Sequence, residues 1–225
     1  MRQNRTIIIL IAAWLGLIAA GFGAMASYAA KPGAVGDVPQ TWPEDAPASM
    51  TLDPEQPTLV LAVHPRCPCT RATINELERA LAKAPALPTT YALIFEPAPN
   101  DPVHQDESFA RTHIANRLAK LPAVTLIPDP GAEIATRFGA LTSGHTLVYT
   151  PDADLAFSGG LTPTRAHEGP NTGSASLIEL FNARKSLASE APVFGCPLCP
   201  NDQTDSQTDT PTPAMATCSP TEDLP

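Results

Sequence analysis

The stretch from Thr6 to Ala30, TIIILIAAWLGLIAAGFGAMASYAA, contains no charged residue. Crossing a bilayer as a helix takes roughly 20 apolar residues, whereas the apolar part of a cleavable signal is only about 7–15. Residues 6–30 are therefore predicted to be a transmembrane anchor, with residues 1–5 as a cytoplasmic stub. Small residues at Ala24, Ala26, Ser27 and Ala29 would also suit cleavage, which would leave a secreted or periplasmic body. Arg2 and Arg5 precede the run, and Lys31 is the first positive residue after it. This bias puts the remainder outside the cytoplasm, on the periplasmic side. The body must then fold where disulfides persist.

Charge and proline content restrict what that body can be. The formal net charge is −9, so there is no basic footprint for nucleic acid. The 26 prolines gather in residues 32–57 and 191–225. The first stretch reads as part of a Pro-rich linker, residues 31–57, that spaces the body from the membrane. The second reads as a cysteine-containing, mostly disordered tail over 191–225, since residues 201–225 are dominated by Asp, Thr, Pro and Ser.

Between them lies an alternation of strands and helices. TLVLAV (58–63) is a short apolar run, a buried strand. From Pro68, Ile74, Leu77, Leu81 and Ala84 recur at helical spacing until Pro85 and Pro88 stop the helix. TYALIF is a second strand, and a helix through Phe109, Ile114 and Leu118 follows. AVTLI, AEIATRFGA and the pair HTLVYT and LAFSGG around PDAD give a strand, a short helix and a hairpin. SASLIELFNARKSL closes the set with an amphipathic helix. The order β-α-β-α-β-α-β-β-α implies an α/β sandwich with a mixed sheet over residues 58–190.

Chemistry concentrates in HPRCPCTRA. Cys67 and Cys69 flank Pro68 where the first helix begins, so they feel the positive end of its dipole. Arg66 and Arg71 would favour thiolate further. A disulfide between them would close a small, strained ring, which makes such a bond easy to reduce. Three readings follow: a redox pair, two soft metal ligands, or an inert staple. Redox is preferred. In FGCPLCP, Cys196 and Cys199 have Cys-x-x-Cys spacing, suited to a second dithiol, to zinc or to a stiffening disulfide. The stiffening disulfide is slightly preferred, because nothing in the sequence folds this segment back to the first pair. Cys218 falls in the tail and carries no assigned role.

A strand, a cysteine pair opening a helix and a terminal β-β-α unit together resemble the thioredoxin fold. The piece IPDPGAEIATRFGALTSGHTLVYTPDADLAFSGGLT resembles the membrane-anchored TlpA and peroxiredoxin-like branch. HPRCPCTRA, SGGLTPTRAHEGPNTG and FGCPLC together resemble the small anchored group labelled RedB. The likeness covers about residues 58–200. It implies a thioredoxin-like α/β domain, a mixed central sheet flanked by helices, behind an N-terminal transmembrane helix. It further implies an extracytoplasmic thiol–disulfide oxidoreductase without a cofactor, acting on protein thiols or disulfides. Cys67 would be the exposed attacking thiol and Cys69 the buried resolving one.

The chain departs from thioredoxins in two places. Its cysteines flank a single residue rather than two, and His145 stands where the family has a cis-proline facing them. The central strand also lacks the family's buried carboxylate, which leaves His64 as the nearest proton acceptor, with Arg66 beside it. The resemblance to copper-carrying members of the superfamily gives the alternative, a Cu(I) carrier using Cys67, Cys69 and His145. Arg165, His167 and Glu168 in TRAHEG are expected near the cysteine end of the sheet, lining a substrate groove. His104 and His113 are expected at the surface, and Trp42, Tyr91 and Phe95 in packing roles.

Overall fold

Thr58–Val63 forms a strand, β1, in which all six residues are buried. Such a strand needs neighbours on both edges and cover on both faces. The computed structural model, which describes residues 2–98, 112–182 and 186–198, supplies both. The chain divides into two units, Met1–Lys31 and Pro32–Pro225. The first holds helix α1, Arg2–Ala29, whose stretch Arg5–Ala29 is long and apolar enough to cross a membrane and is exposed from Arg5 to Tyr28.

The second unit contains the remaining elements. After β1 come α2 (Pro68–Leu81), β2 (Thr89–Glu96), α3 (His113–Leu118), β3 (Val124–Pro130) and α4 (Glu133–Arg137). The hairpin β4 (Thr146–Tyr149) and β5 (Leu155–Gly159) follows, and then α5 (Thr172–Phe181). The sheet runs β3-β2-β1-β4-β5. β1, β2 and β3 are parallel, while β4 pairs antiparallel with both β1 and β5. This is the thioredoxin-like arrangement. Of the second predicted helix, Phe109 lies outside the described residues.

Local chemistry sets the element ends. Pro68 opens α2, where its missing N–H costs nothing. Thr112 caps α3 by accepting the Ala115 N–H at 3.2 Å, and Asn171 caps α5 by accepting the Ser174 N–H at 2.9 Å. Buried Asp129 receives the N–H groups of Ile134 and Ala135 at the start of α4.

Strand alternation sends side chains to two cores. Leu59, Leu61, Val63, Val148 and Phe157 meet Ile74 and Leu77 of α2 and Leu177 of α5 on one face. Val60, Ala62, Leu147 and Tyr149 meet Phe138 and Met50 on the other. Met50 belongs to the expected spacer, and that expectation is corrected here. Residues 32–57 pack on the body, with Trp42 edge-on to Phe138 and Tyr149 at centroid distances of 5.3 Å. Backbone bonds from Gly36 N–H to the Gly139 carbonyl and from Leu155 N–H to the Gln40 carbonyl fix the segment. Its prolines make an extended strap whose aromatic and apolar residues still find cover.

Residues 191–198, grouped by composition with the tail, also pack on the body. Val193, Phe194 and Leu198 are buried, and Gly33 N–H donates to the Val193 carbonyl at 2.8 Å. Gly159 lets this second strap pass, since a Cβ there would meet the Ala191 backbone. Cys199 and Cys218 lie outside the described residues, as does His104.

Candidate functional site

The turn between β1 and α2 delivers the cysteine pair. Cys67 is the N-cap of α2, with extended backbone and no side-chain cap. Its N–H donates to the His64 carbonyl at 3.0 Å, and the Thr70 N–H returns to the Cys67 carbonyl at 3.1 Å. Beneath the turn, Ser143 Oγ accepts the His64 N–H at 2.9 Å and pairs with Thr70 Oγ1 at 3.0 Å. Ser143 and Thr70 thus hold the cysteine turn on the segment leading into β4, a role the sequence reading missed. Two hydroxyls in TSG and CTR carry no distinctive pattern that could have revealed it.

The second strap completes the site. Its backbone lies along residues 141–143: Ser143 N–H donates to the Cys196 carbonyl, and Leu198 N–H to the Leu141 carbonyl, both at 2.9 Å. Cys196 N–H then reaches Cys67 Sγ at 3.3 Å. The structure therefore brings Cys196 to the first pair, where it is a free thiol beside the free thiols Cys67 and Cys69. The apolar residues of VFGCPL, set in a polar tail, were the available sign that this segment packs.

These three thiols share hydrogen bonds, and their protons are ranked. Donation from the Cys196 thiol, then from the Cys69 thiol, holds Cys67 far below the ordinary thiol range despite its burial. Cys196 also pulls Cys69 down. Cys69's own donation to Cys67, its burial and the Cys67 charge outweigh that pull, so its pKa is raised. Cys196 is raised further by donating to Cys67 and Cys69 and by burial. The expected helpers Arg66 and Arg71 are exposed, and the groups that lower the Cys67 pKa are the thiols of Cys196 and Cys69 together with the backbone N–H groups of Cys196 and Cys69. Cys67 is also not the exposed thiol of the family pattern. It is 2% exposed and Cys69 5%, while Cys196 is the more open of the three.

The loop after β5 closes one side. The Arg165 guanidinium donates to the Gly195 carbonyl, next to Cys196. Ala166 sits in the left-handed region at φ 57° and turns its N–H toward Cys69. A non-glycine residue held there costs about 1 kcal/mol or more. Glu168 turns away, bonded to Asn75 and Arg79 of α2, which together hold its carboxyl below the usual range. His167 is exposed and bonds the Arg165 carbonyl at 2.7 Å. Of TRAHEG, then, Arg165 reaches the cysteine strap, while Glu168 anchors the loop on α2.

The two histidines separate. His64 stacks on Phe95 at 5.0 Å, and its Nδ1 accepts the Arg66 N–H at 3.2 Å, so it stays at the cysteine turn. His145 does not face the cysteines. Two residues before Leu147, it shares the opposite face of the sheet from α2, with Nε2 2.8 Å from Ser158 Oγ. It borders a cavity of about 490 Å³ lined also by Val35, Asp37 and Glu190. Nδ1 has no hydrogen-bond partner among the described residues, and desolvation pushes the imidazole down to about 4. The expected copper set of Cys67, Cys69 and His145 is therefore not assembled. Among the described residues no group of three His, Cys, Asp or Glu is arranged to hold a metal ion. Exposed His113 and the packed rings of Trp42 and Tyr91 stand apart from this chemistry, while Phe95 supports His64 at the cysteine turn.

No family model matches the chain, and neither does any curated protein. Solved structures that resemble it include an uncharacterised conserved protein from Geobacillus kaustophilus, at 18% identity and TM-score 0.50, covering 77% of this chain and 90% of that one. A hypothetical protein, SMc02350 from Sinorhizobium meliloti 1021, has 15% identity and TM-score 0.47, covering 75% and 91%. Copper-bound ScoI from Bradyrhizobium japonicum has 16% identity and TM-score 0.34, covering 56% and 85%. Likeness at such identities speaks to the fold alone.

Proposed function

We propose that this chain is a membrane-tethered, extracytoplasmic thiol–disulfide oxidoreductase whose reactive centre is the Cys67-Pro68-Cys69 turn at the start of α2. One observation carries the reading: in a thioredoxin-like fold, Cys67 sits at the start of α2 with the Cys196 N–H 3.3 Å from its sulfur and the thiols of Cys196 and Cys69 donating to it, an arrangement that lowers its pKa. A thiolate is the nucleophile of disulfide exchange, and a low thiol pKa also makes a good leaving group. The Cys67 sulfur attacks one sulfur of a partner disulfide, and the partner's other sulfur leaves as thiolate. A second protein thiol then displaces the partner from Cys67, leaving a protein disulfide and a partner reduced by two electrons. Exposed α1 would tether the domain to a membrane, and the anchored RedB-like assignment belongs to this same proposal.

The test is exchange between the reduced chain and oxidised glutathione at mildly acid pH. A depressed thiol should react more than tenfold faster there than free cysteine, because its larger thiolate fraction outweighs the lower nucleophilicity that accompanies a lower pKa. Cys67→Ser should abolish that excess. Equal rates for protein and free cysteine would contradict the proposal.

A further inference from the structure

The resolving thiol of this centre is not fixed by the Cys-Pro-Cys spacing, and three observations bear on it. The first is register. The strap at 195–198 is tied on both sides of Cys196, by Ser143 N–H to the Cys196 carbonyl, Leu198 N–H to the Leu141 carbonyl and Arg165 to the Gly195 carbonyl. Gly195 fits only because it has no side chain, since a Cβ would run into the Ser143 carbonyl. Cys196 is thus held at Cys67 by a built contact rather than by loose chain. The second is ring size. A Cys67–Cys69 bond must close a small, strained ring through Pro68 alone, even though the two thiols lie within hydrogen-bond reach. Cys196 comes from 129 residues away and approaches on an independent segment, free of that constraint. The third is access. Cys67 and Cys69 are buried, while Cys196 is partly open to solvent.

We infer that Cys67 forms its internal disulfide with Cys196, and that Cys196 is the sulfur of this bond which an outside thiol meets. The inference rests on the thiol–disulfide reading above. In the oxidised chain, a partner thiolate attacks Cys196 Sγ, the S–S bond breaks, and its electron pair leaves on Cys67. The products are a partner–Cys196 mixed disulfide and a Cys67 thiolate bonded by the Cys69 thiol. A second partner thiol, after losing its proton to water, attacks the partner sulfur of the mixed disulfide and releases Cys196, which takes up a proton. The partner dithiol is thereby oxidised to a disulfide, and Cys67 and Cys196 are reduced. Cys69 serves as the proton donor that keeps Cys67 a good leaving group rather than as its covalent partner. The partner class is a protein or small molecule bearing two thiols.

The experiment uses the full chain in detergent with Cys199→Ser and Cys218→Ser, so that only the three clustered thiols remain. Diamide, a two-electron thiol oxidant, should close a monomeric disulfide in this parent and equally in its Cys69→Ser derivative, but not in Cys196→Ser. Gly195→Ala keeps every thiol yet displaces the strap, and should slow closure by about a hundredfold, as expected for a misplacement near 1 Å. Limited glutathione added to the oxidised parent, quenched with acid and mapped by mass spectrometry, should be found on Cys196. Closure in Cys196→Ser but not in Cys69→Ser would overturn the pairing and leave the Cys67–Cys69 oxidoreductase standing. Glutathione on Cys67 would overturn the assignment of the attacked sulfur. Failure of all three thiols to exchange in any variant would overturn this inference together with the function beneath it.

Discussion

Two of the places where the body buries groups that can gain or lose a proton make an instructive pair. At the α2 end, Cys67, Cys69 and Cys196 share hydrogen bonds, and donation from Cys196 and Cys69 lowers the Cys67 pKa despite burial while theirs rise. On the other face of the sheet, His145 pairs with Ser158 through Nε2, its Nδ1 has no hydrogen-bond partner among the described residues, and burial lowers its pKa. Desolvation penalises charge in both places. What separates them is the presence of donors aimed at the group. A buried ionisable side chain becomes reactive when neighbours stabilise its charged form, and becomes part of the packing when none do. That difference also argues against a ligand role for His145, whatever its place in the family pattern.

The largest expected effect breaks the first region outright. Cys67→Ser should lower the exchange rate with oxidised glutathione on the order of a thousandfold, since no neighbour shares its depressed pKa. His145→Ala should leave that rate unchanged at pH 7 and should not weaken Cu(I) binding by the reduced chain. Loss of Cu(I) binding in a competition titration would bring the two regions back together.

Stability sharpens the contrast next. Trp42→Ala removes the edge contacts with Phe138 and Tyr149 that hold the first strap over the His145 face. A loss of about 3 kcal/mol in denaturant unfolding is expected, while Cys67 alkylation at pH 6 stays constant. An unchanged midpoint would mean that the strap is not part of the cooperative unit.

The pH dependence of stability follows from signs. His145 stays neutral in the folded chain down to about 4, against 6.5 for the free group. The unfolded chain therefore takes up the extra proton, and stability is lost as pH falls from 6.5 toward 4, by up to roughly 3 kcal/mol. Asp129 acts in the opposite sense. Burial raises it to about 6 from 3.8, so the folded chain holds the extra proton and gains stability as pH falls through that window. Comparing His145→Gln with the parent isolates the first contribution, and Asp129→Asn the second. The smallest effect is expected for Arg165→Met, which removes the bond to Gly195. It should cost about 1–2 kcal/mol and speed alkylation of Cys196.

The sequence disclosed elements better than it disclosed contacts. β1, the α2 stripe and the β4–β5 hairpin were legible because apolar periodicity records which face is buried. The straps were not. Pro-rich composition reads as linker because extended chain has no periodicity, yet Met50, Val193, Phe194 and Leu198 bury themselves as firmly as helical residues, with Trp42 packed partly buried beside them. The Cys67–Cys69 pair was legible from its place at a helix start. Its source of activation was not, because Cys196 is distant in the chain and its approach depends on the pairing of residues 195–198 with 141–143. His145 was misplaced for a related reason. A position counted from a hairpin gives the residue before the strand but not the face it takes, and here Ser143 occupies the cysteine side.

The central claim is that Cys67 is a thiolate because neighbouring thiols donate to it, and thiolate ultraviolet absorbance measures this directly. Titrated from alkaline to acid pH, the reduced chain should keep a single thiolate far below the value of about 8.5 for a free cysteine. That signal should vanish in Cys67→Ser and shift upward in Cys196→Ser. If every thiol in the chain instead protonates near the free value, the hydrogen-bonded cluster does not activate Cys67 and the account is wrong.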